Sequence, residues 1–313
     1  MLLLQLLPDT TPVNAHTGAA AMVDAVGSSA HLADFSLPQL AASTVSTTSR
    51  IHAEVGRYRL RLAETAEDRE AVCRLRFRVF SVELGEGLES SFETGMDTDP
   101  FDAFCEHLLV EDKQQGAPSR AIVGTYRMQS GTTAGLRLGY YSAQEFDLRP
   151  YEPLRPEILE LGRASIDREH RTPEVLTLLW RGIAQYANDM GLRYLAGCSS
   201  LTSRNPAEGW QLYRQLEHYR VPPEFATVPT PAYECPIERA AINEWPSADG
   251  WMGAETDPVK VPKLLKTYLA IGARIAAPPA WDRAFGTIDF LTLLDLKLLS
   301  SAARNRFLAP LAQ

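Results

Sequence analysis

Residues 158–191 constrain the fold more than any other stretch of this 313-residue chain. EILELGRASI reads as a strand, and a short basic turn then leads into a helix with both ends marked. Thr172 can cap that helix, Pro173 suits its first position, and Gly191 follows its last turn. Val175, Leu178, Leu179, Ile183, Tyr186 and Met190 recur at helical spacing, so Pro173–Met190 has one apolar face to bury.

The flanking segments predict the sheet that this helix needs. YRLRLA, from Tyr58, alternates apolar and basic residues as a half-buried strand does. A helix is expected from Ala66 to Val82, with Val72, Leu75, Val79 and Phe80 as its stripe. HLLVED and RAIVGTYRMQ, separated by KQQGAPS, read as an antiparallel hairpin. LRYLAGCSS reads as a buried strand, Ala207–Glu217 as a helix, VPKLLKTYLAIGA as a short amphipathic helix and FLTLLDL as a last strand. The order predicts an α/β (mixed α+β) fold, a central mixed sheet with helices on both faces. No strand is followed by G-x-G-x-x-G or G-K-[ST], which argues against Rossmann and P-loop architectures.

Residues 8–52 are rich in Ala, Ser, Thr and Pro, a composition that cannot bury enough surface to offset ordering entropy. Residues 1–55 are therefore expected to be a flexible arm, 56–300 one folded domain with a helix–strand extension, and 301–313 a tail. The opening MLLLQLL lacks a basic region and stops at Pro8, so it is not read as a signal peptide, although a short membrane contact there fits its character. No stretch nears the roughly 20 apolar residues of a membrane span. Lys plus Arg total 31 and Asp plus Glu 39, giving a net charge of −8, which speaks against a nucleic-acid partner. Four cysteines without a C-x-x-C pair predict reduced thiols in a cytoplasmic protein and no structural zinc.

Two segments carry candidate chemistry. In ELGRASIDREHRTPE, strand alternation places Glu160, Gly162 and Ala164 on one side, with Leu161 and Arg163 on the other. The turn brings Arg168, His170 and Arg171 to a helix start, which is either an anion site or an ordinary basic loop. In GMDTDPFDAFCEHLLV, Asp97, Asp99, Asp102 and Glu106 lie within ten residues. That run is a cation site or a solvated acidic loop, and the D-x-D-G pattern of a calcium loop is absent. His107 can be a base or a hydrogen-bonded structural histidine. Cys198 reads as a buried thiol, and Ser199 and Ser200 lack a nucleophile elbow.

Taken together, the order of elements resembles the GNAT acyltransferase fold, with NPAEGWQLYRQL similar to its later helix. Arg171 is followed by Thr172, Pro173 and Glu174 where that fold usually carries a glycine-rich coenzyme A loop. RFRVF, DTDPFD, GTYR and ELGR resemble acyl-homoserine-lactone synthases. DTDPFDAFCEHLLV, VGTYRM, YYSAQEFDL, ELGRASI, LLWRGI and the tail LLKTYLAIGARIAAPPAWDRAFGTIDFLTLLDL are similar to the ornithine N-alpha-acyltransferases of ornithine-lipid synthesis, often labelled hemolysin-like. The resemblance runs from about Tyr58 to Leu296.

That resemblance implies transfer of a (3-hydroxy)fatty acyl group from acyl carrier protein, as co-substrate and without a further cofactor or metal, to the alpha-amine of an amino acid, ornithine first. It implies Glu160 as base, His107 as runner-up, Arg163 holding Glu160 or the thioester, and Tyr213 protonating the departing thiolate. Asp99, Asp102 and Arg127 would organise the site or hold a cationic acceptor. Arg168, Arg171 and Thr172 would receive the phosphopantetheine or the acidic carrier. A cytoplasmic enzyme, peripheral to the inner membrane for its lipid product, is the expectation. Rival readings are an enzyme for glycine or serine and a non-catalytic acyl-carrier or lipid-binding module.

Overall fold

The computed structural model describes residues 51–116, 121–236 and 258–307. Most of the expected arm and the end of the tail lie outside these residues. The chain forms β1 (His52–Val55), β2 (Tyr58–Leu62), α1 (Ala66–Phe77), β3 (Glu106–Asp112), β4 (Ile122–Ser130), β5 (Ile158–Ile166), α2 (Pro173–Asp189), β6 (Tyr194–Leu201), α3 (Pro206–Gln215), α4 (Lys263–Ile271), β7 (Arg274–Ile275), β8 (Ala280–Asp282), β9 (Thr287–Asp295) and α5 (Ser301–Phe307). Shorter turns of helix connect them. The strands build one sheet in the order β1-β2-β3-β4-β5-β6-β9-β7, with β8 also on β9. Every pairing is antiparallel except β5 with β6.

Capping sets the two best-marked helices. The Thr65 hydroxyl accepts from the Asp68 N–H, and the Asp68 carboxylate accepts from the Thr65 N–H, closing a capping box. The Thr172 hydroxyl accepts from Val175 N–H, with Pro173 next. The α2 stripe of Val175, Leu178, Leu179 and Ile183 packs on Leu60, Leu108, Val110, Tyr126 and Leu159. The stripe of α1, Val72 and Leu75 with Val79 beyond it, packs on Leu109 and Ile122. Leu108 and Leu109 are neighbours on a strand and point to opposite faces, so the helices cover both sides of the sheet as expected.

The larger departures from the sequence reading lie at four places. β1 occupies residues assigned to the arm and pairs with β2. Helix α1 stops at Phe77, and the next seven residues wind more loosely, as a π-helix ending at left-handed Gly85. Met190 lies beyond α2, exposed rather than in the stripe. The tail opens with α5, and its Ala303 is buried in the α2 core.

One feature of the sheet prepares the site. β5 and β6 pair only from Ile158 to Glu160, opposite Tyr194 to Ala196, although both strands run on. Beyond that point β5 stays with β4 and β6 stays with β9, so the sheet forks. Gly197 sits at the fork, where a Cβ would come 2.1 Å from the Leu161 carbonyl oxygen. Close approach of the two backbones there requires glycine.

Candidate active site

Glu160 is the last paired residue before the fork and is buried. Its carboxylate accepts from the backbone N–H groups of Tyr141 (2.9 Å) and Ser142 (2.8 Å), which open a short 3-10 turn, Tyr141–Gln144. Burial pushes the Glu160 carboxyl above the usual carboxylate range, and the Ser142 and Tyr141 donors and Arg127 pull it back only in part. An apolar pocket adjoins it, lined by Tyr140, Leu148, Tyr151, Ile158, Leu291 and Leu293 among others.

Arg163 departs from strand alternation. It is the one non-glycine residue among those described with a left-handed backbone, φ 51°. The β4–β5 register shifts there: Thr125 and Arg127 pair with Ser165 and Gly162, so β5 carries one residue more than β4 at this point. Leu161 and Ala164 consequently pack on the same core, which a regular strand would not allow. The expectation that Ala164 shares the Glu160 side is thus corrected. Arg163 instead reaches Tyr141, whose hydroxyl accepts from it at 3.2 Å and whose backbone N–H serves Glu160.

Nor does Arg163 pair with Glu160. It joins a buried network of three arginines and three aspartates. Arg76 binds Asp97 (2.7 Å) and Asp102 (2.7 Å), Arg127 binds Asp99 (2.6 Å) and Asp102 (3.0 Å), and Arg163 approaches Asp97 (3.3 Å) and Asp99 (3.1 Å). Burial opposes the charge on Asp102, but Arg76 and Arg127 outweigh it and hold its carboxyl well below the ordinary range. Burial likewise opposes the charge on Arg163, and Tyr141, Asp97 and Asp99 outweigh that, so it stays cationic. Asp99 and Asp102 also close a capping box on the 3-10 turn Pro100–Ala103. Their negative charge is matched within the network, leaving none over for a cationic acceptor.

His107 lies under this network, its Nε2 3.3 Å from the Asp102 carbonyl oxygen. Burial lowers its pKa to about 4, so it is neutral at pH 7 and a weak acceptor for a proton from an ammonium group. Tyr213 is elsewhere. Its ring meets Trp210 edge-on and lies under Arg220, and it packs with Leu201 and Ile288. In the basic turn Arg171 is engaged by Glu83 (2.7 Å), Thr172 spends its hydroxyl on the cap, and Arg168 is exposed.

A second group sits on the Glu160 side of the sheet. Glu145, Asp282 and Asp289, all buried, bring one oxygen each within 4.8 Å of one another. Burial, then Asp289 and Asp282, raise Glu145 well above the carboxylate range, and burial raises Asp289 to about 6. Cys198 lies 3.5 Å from the Ser142 hydroxyl, and burial keeps it a thiol rather than a nucleophilic thiolate.

Sequence reasoning missed Arg76, Tyr141 and this acidic group. Arg76 was detectable, because it interrupts the 72–75–79 apolar stripe of α1. Asp289 was too, as an acid inside the apolar run TIDFLTLL. Tyr141 and Glu145 are contributed by a loop with no periodicity.

A family model described as an acetyltransferase (GNAT) domain matches residues 75–181. The L-ornithine N(alpha)-acyltransferase of Brucella abortus (strain 2308) is 33% identical over 264 residues, covering 81% of this chain and 92% of that one. Its counterpart from Rhizobium meliloti (strain 1021) is 29% identical over 291 residues, 91% and 95% of the two chains. Among solved structures, FeeM, an N-acyl amino acid synthase from uncultured soil microbes, aligns with a TM-score of 0.45 at 11% identity, over 81% of this chain and 97% of that one. No helix among the described residues is long and apolar enough to cross a membrane.

Proposed function

The chain belongs to the L-ornithine N(alpha)-acyltransferase family, and from that premise we propose that it moves a (3-hydroxy)fatty acyl group from acyl carrier protein to the alpha-amine of ornithine, giving a lyso-ornithine lipid. The observation that carries the reading is Glu160, a buried carboxylate of raised pKa at the fork of β5 and β6, beside an apolar pocket.

The acceptor arrives as an ammonium, its pKa about 8, and must lose a proton before it can attack. Glu160 takes that proton, directly or through a water. The free amine adds to the thioester carbon, the carbon–sulfur bond breaks and the nitrogen gives up a second proton; of the two protons lost from nitrogen, one goes by way of Glu160 to the departing thiolate and the other to solvent. Unpaired backbone edges of β5 and β6 beyond the fork offer N–H donors to the oxyanion. Arg163 is held by Asp97 and Asp99, so its role is to position Tyr141 and the 3-10 turn that orients Glu160. Tyr213 is left without a part in this scheme.

Exposed Arg168 supports an acidic carrier as donor. Exposed Leu136 and Leu138, flanking Arg137, support a peripheral contact with the inner membrane from the cytoplasmic side, where a lipid product would leave.

The test is to incubate the purified protein with acyl carrier thioesters, coenzyme A thioesters and an amino-acid panel, and to identify products by mass spectrometry. N-acylornithine formed from the long-chain carrier thioester is the expected result. Turnover confined to acetyl coenzyme A, or an acceptor other than ornithine, would overturn the reading.

A further inference from the structure

We propose that Glu145, Asp282 and Asp289 form the subsite that receives the side-chain ammonium of a diamino-acid acceptor, and so select it over neutral amino acids. The inference rests on the function proposed above and adds the residues that would choose the substrate.

The three carboxylates differ in kind from those around Arg163. There, three guanidinium groups answer three aspartates. Here, no ion pair among the described residues involves Glu145, Asp282 or Asp289, though all three are at most 5% exposed. Buried carboxylates without cations are costly and need a proton, a metal or a cationic ligand. Two atoms are unspent. Among the described residues Glu145 Oε2 and Asp289 Oδ1 are buried without a hydrogen-bond partner, although the Glu145 and Asp289 carboxyls face each other, with the Cys198 thiol at the first and the Ser200 hydroxyl at the second; Asp282 Oδ1 accepts from Phe285 N–H (2.8 Å) and Asp289 Oδ2 from the Thr287 hydroxyl (3.3 Å). An ammonium brings three donors and no acceptor, which suits two vacant lone-pair sites and a third carboxylate close by.

Position supports the same ligand. Glu160 accepts from Ser142 N–H, the Ser142 hydroxyl lies 3.5 Å from the Cys198 thiol, and Glu145 follows three residues after Ser142 on the same turn. The acidic group therefore stands one side chain away from the base, on the same face of the sheet, while the apolar pocket meets Glu160 and Ser142 separately. An acceptor with its alpha-amine at Glu160 has its side chain free to reach the acids. Tyr233 flanks the group; burial and the fields of Asp282, Glu145 and Asp289 push its phenol up. Its ring adds a π face suited to a cation.

The experiment compares ornithine with norvaline, which lacks only the terminal amine, on the full-length enzyme, and repeats the comparison in Asp289→Asn and Glu145→Gln. Wild type should prefer ornithine by about 10²–10³-fold in kcat/KM, the range for removing one partner of a buried charged pair. Each variant should bring the two substrates within about tenfold, chiefly through a higher KM for ornithine. The wild-type comparison stands even if a variant does not fold. Equal use of norvaline by wild type, or an undiminished preference in folded variants, would overturn the subsite while leaving ornithine acylation intact. Acylation of a neutral amino acid and not of ornithine would overturn both. Activity removed by a chelator, restored by Mg²⁺ or Mn²⁺, and accompanied by metal binding that Asp289→Asn abolishes would show that the acids hold a metal instead.

Discussion

The Glu160 carboxylate accepts a 2.8 Å hydrogen bond from the backbone N–H of Ser142. Together with the neighbouring bond from Tyr141, it ties the base to a loop rather than to a cation. Arg163 lies three residues further along the strand but spends its charge on Asp97 and Asp99. Glu160 can therefore take and release a proton without disturbing an ion pair.

The fork makes opposite demands on two glycines. At Gly197 a Cβ would meet the Leu161 carbonyl at 2.1 Å, a backbone atom that cannot step aside. Gly197→Ala should separate β5 from β6 and cost about 1–3 kcal/mol or more. At Gly162 a Cβ meets nothing within 4 Å. Gly162→Ala should leave the melting temperature nearly unchanged and raise the KM for the acyl donor, because it fills space at the fork. Melting curves and donor kinetics on both variants check this; a Gly162→Ala enzyme with unaltered donor kinetics would move the thioester elsewhere.

His107 should make the protein acid-sensitive. Its folded pKa, about 4, is below the unfolded value of about 6.5 because burial disfavours the imidazolium. Between those values the unfolded chain binds more protons, so stability rises with pH through this window and is lost as pH falls from about 6.5 to 4. The contribution is on the order of 3 kcal/mol. Urea unfolding of wild type and His107→Gln at pH 7 and pH 4.5 should show the smaller pH dependence in the variant. Equal slopes for the two proteins would contradict it.

How much of this was legible depended on range. The β5–turn–α2 unit could be read because Thr172, Pro173 and Gly191 act within one turn of themselves. Glu160, Arg163, Asp99, Asp102 and Arg127 were named from motifs, and the structure brings all five to one region. The flip at Arg163 was not legible, because the extra residue that β5 carries, Arg163 and Ala164 opposite Tyr126, shows only once β5 is paired with β4. Nor was the acidic group, since Glu145 and Asp289 are 144 positions apart and meet only once β9 lies beside β6. α3 forms where expected, and its Tyr213 ring packs under Arg220.

The basic turn should divide its work unequally. Arg171 is held by Glu83 and by the Ile166 carbonyl, whereas Arg168 is exposed. Arg168→Glu should raise the KM for acyl carrier protein several-fold and weaken its salt dependence. Arg171→Gln should change KM less and lower stability by no more than about 1 kcal/mol, as an exposed ion pair would. Carrier titrations at two ionic strengths separate the cases, and an Arg168→Glu enzyme with wild-type KM at both would place the dock elsewhere.

The most direct test of the whole account is the pH profile of kcat/KM for wild type and Glu160→Gln, with rates expressed per folded molecule. Normalisation matters, because a glutamine amide nitrogen would face one of the two N–H donors and cost about 1–3 kcal/mol of stability. Wild type should lose activity as pH falls through the raised Glu160 pKa, above the range of an ordinary carboxylate. The variant should lack that limb and run about 10²–10⁴-fold slower. A folded Glu160→Gln enzyme with the wild-type rate and the wild-type profile would contradict the assignment of Glu160 as the base.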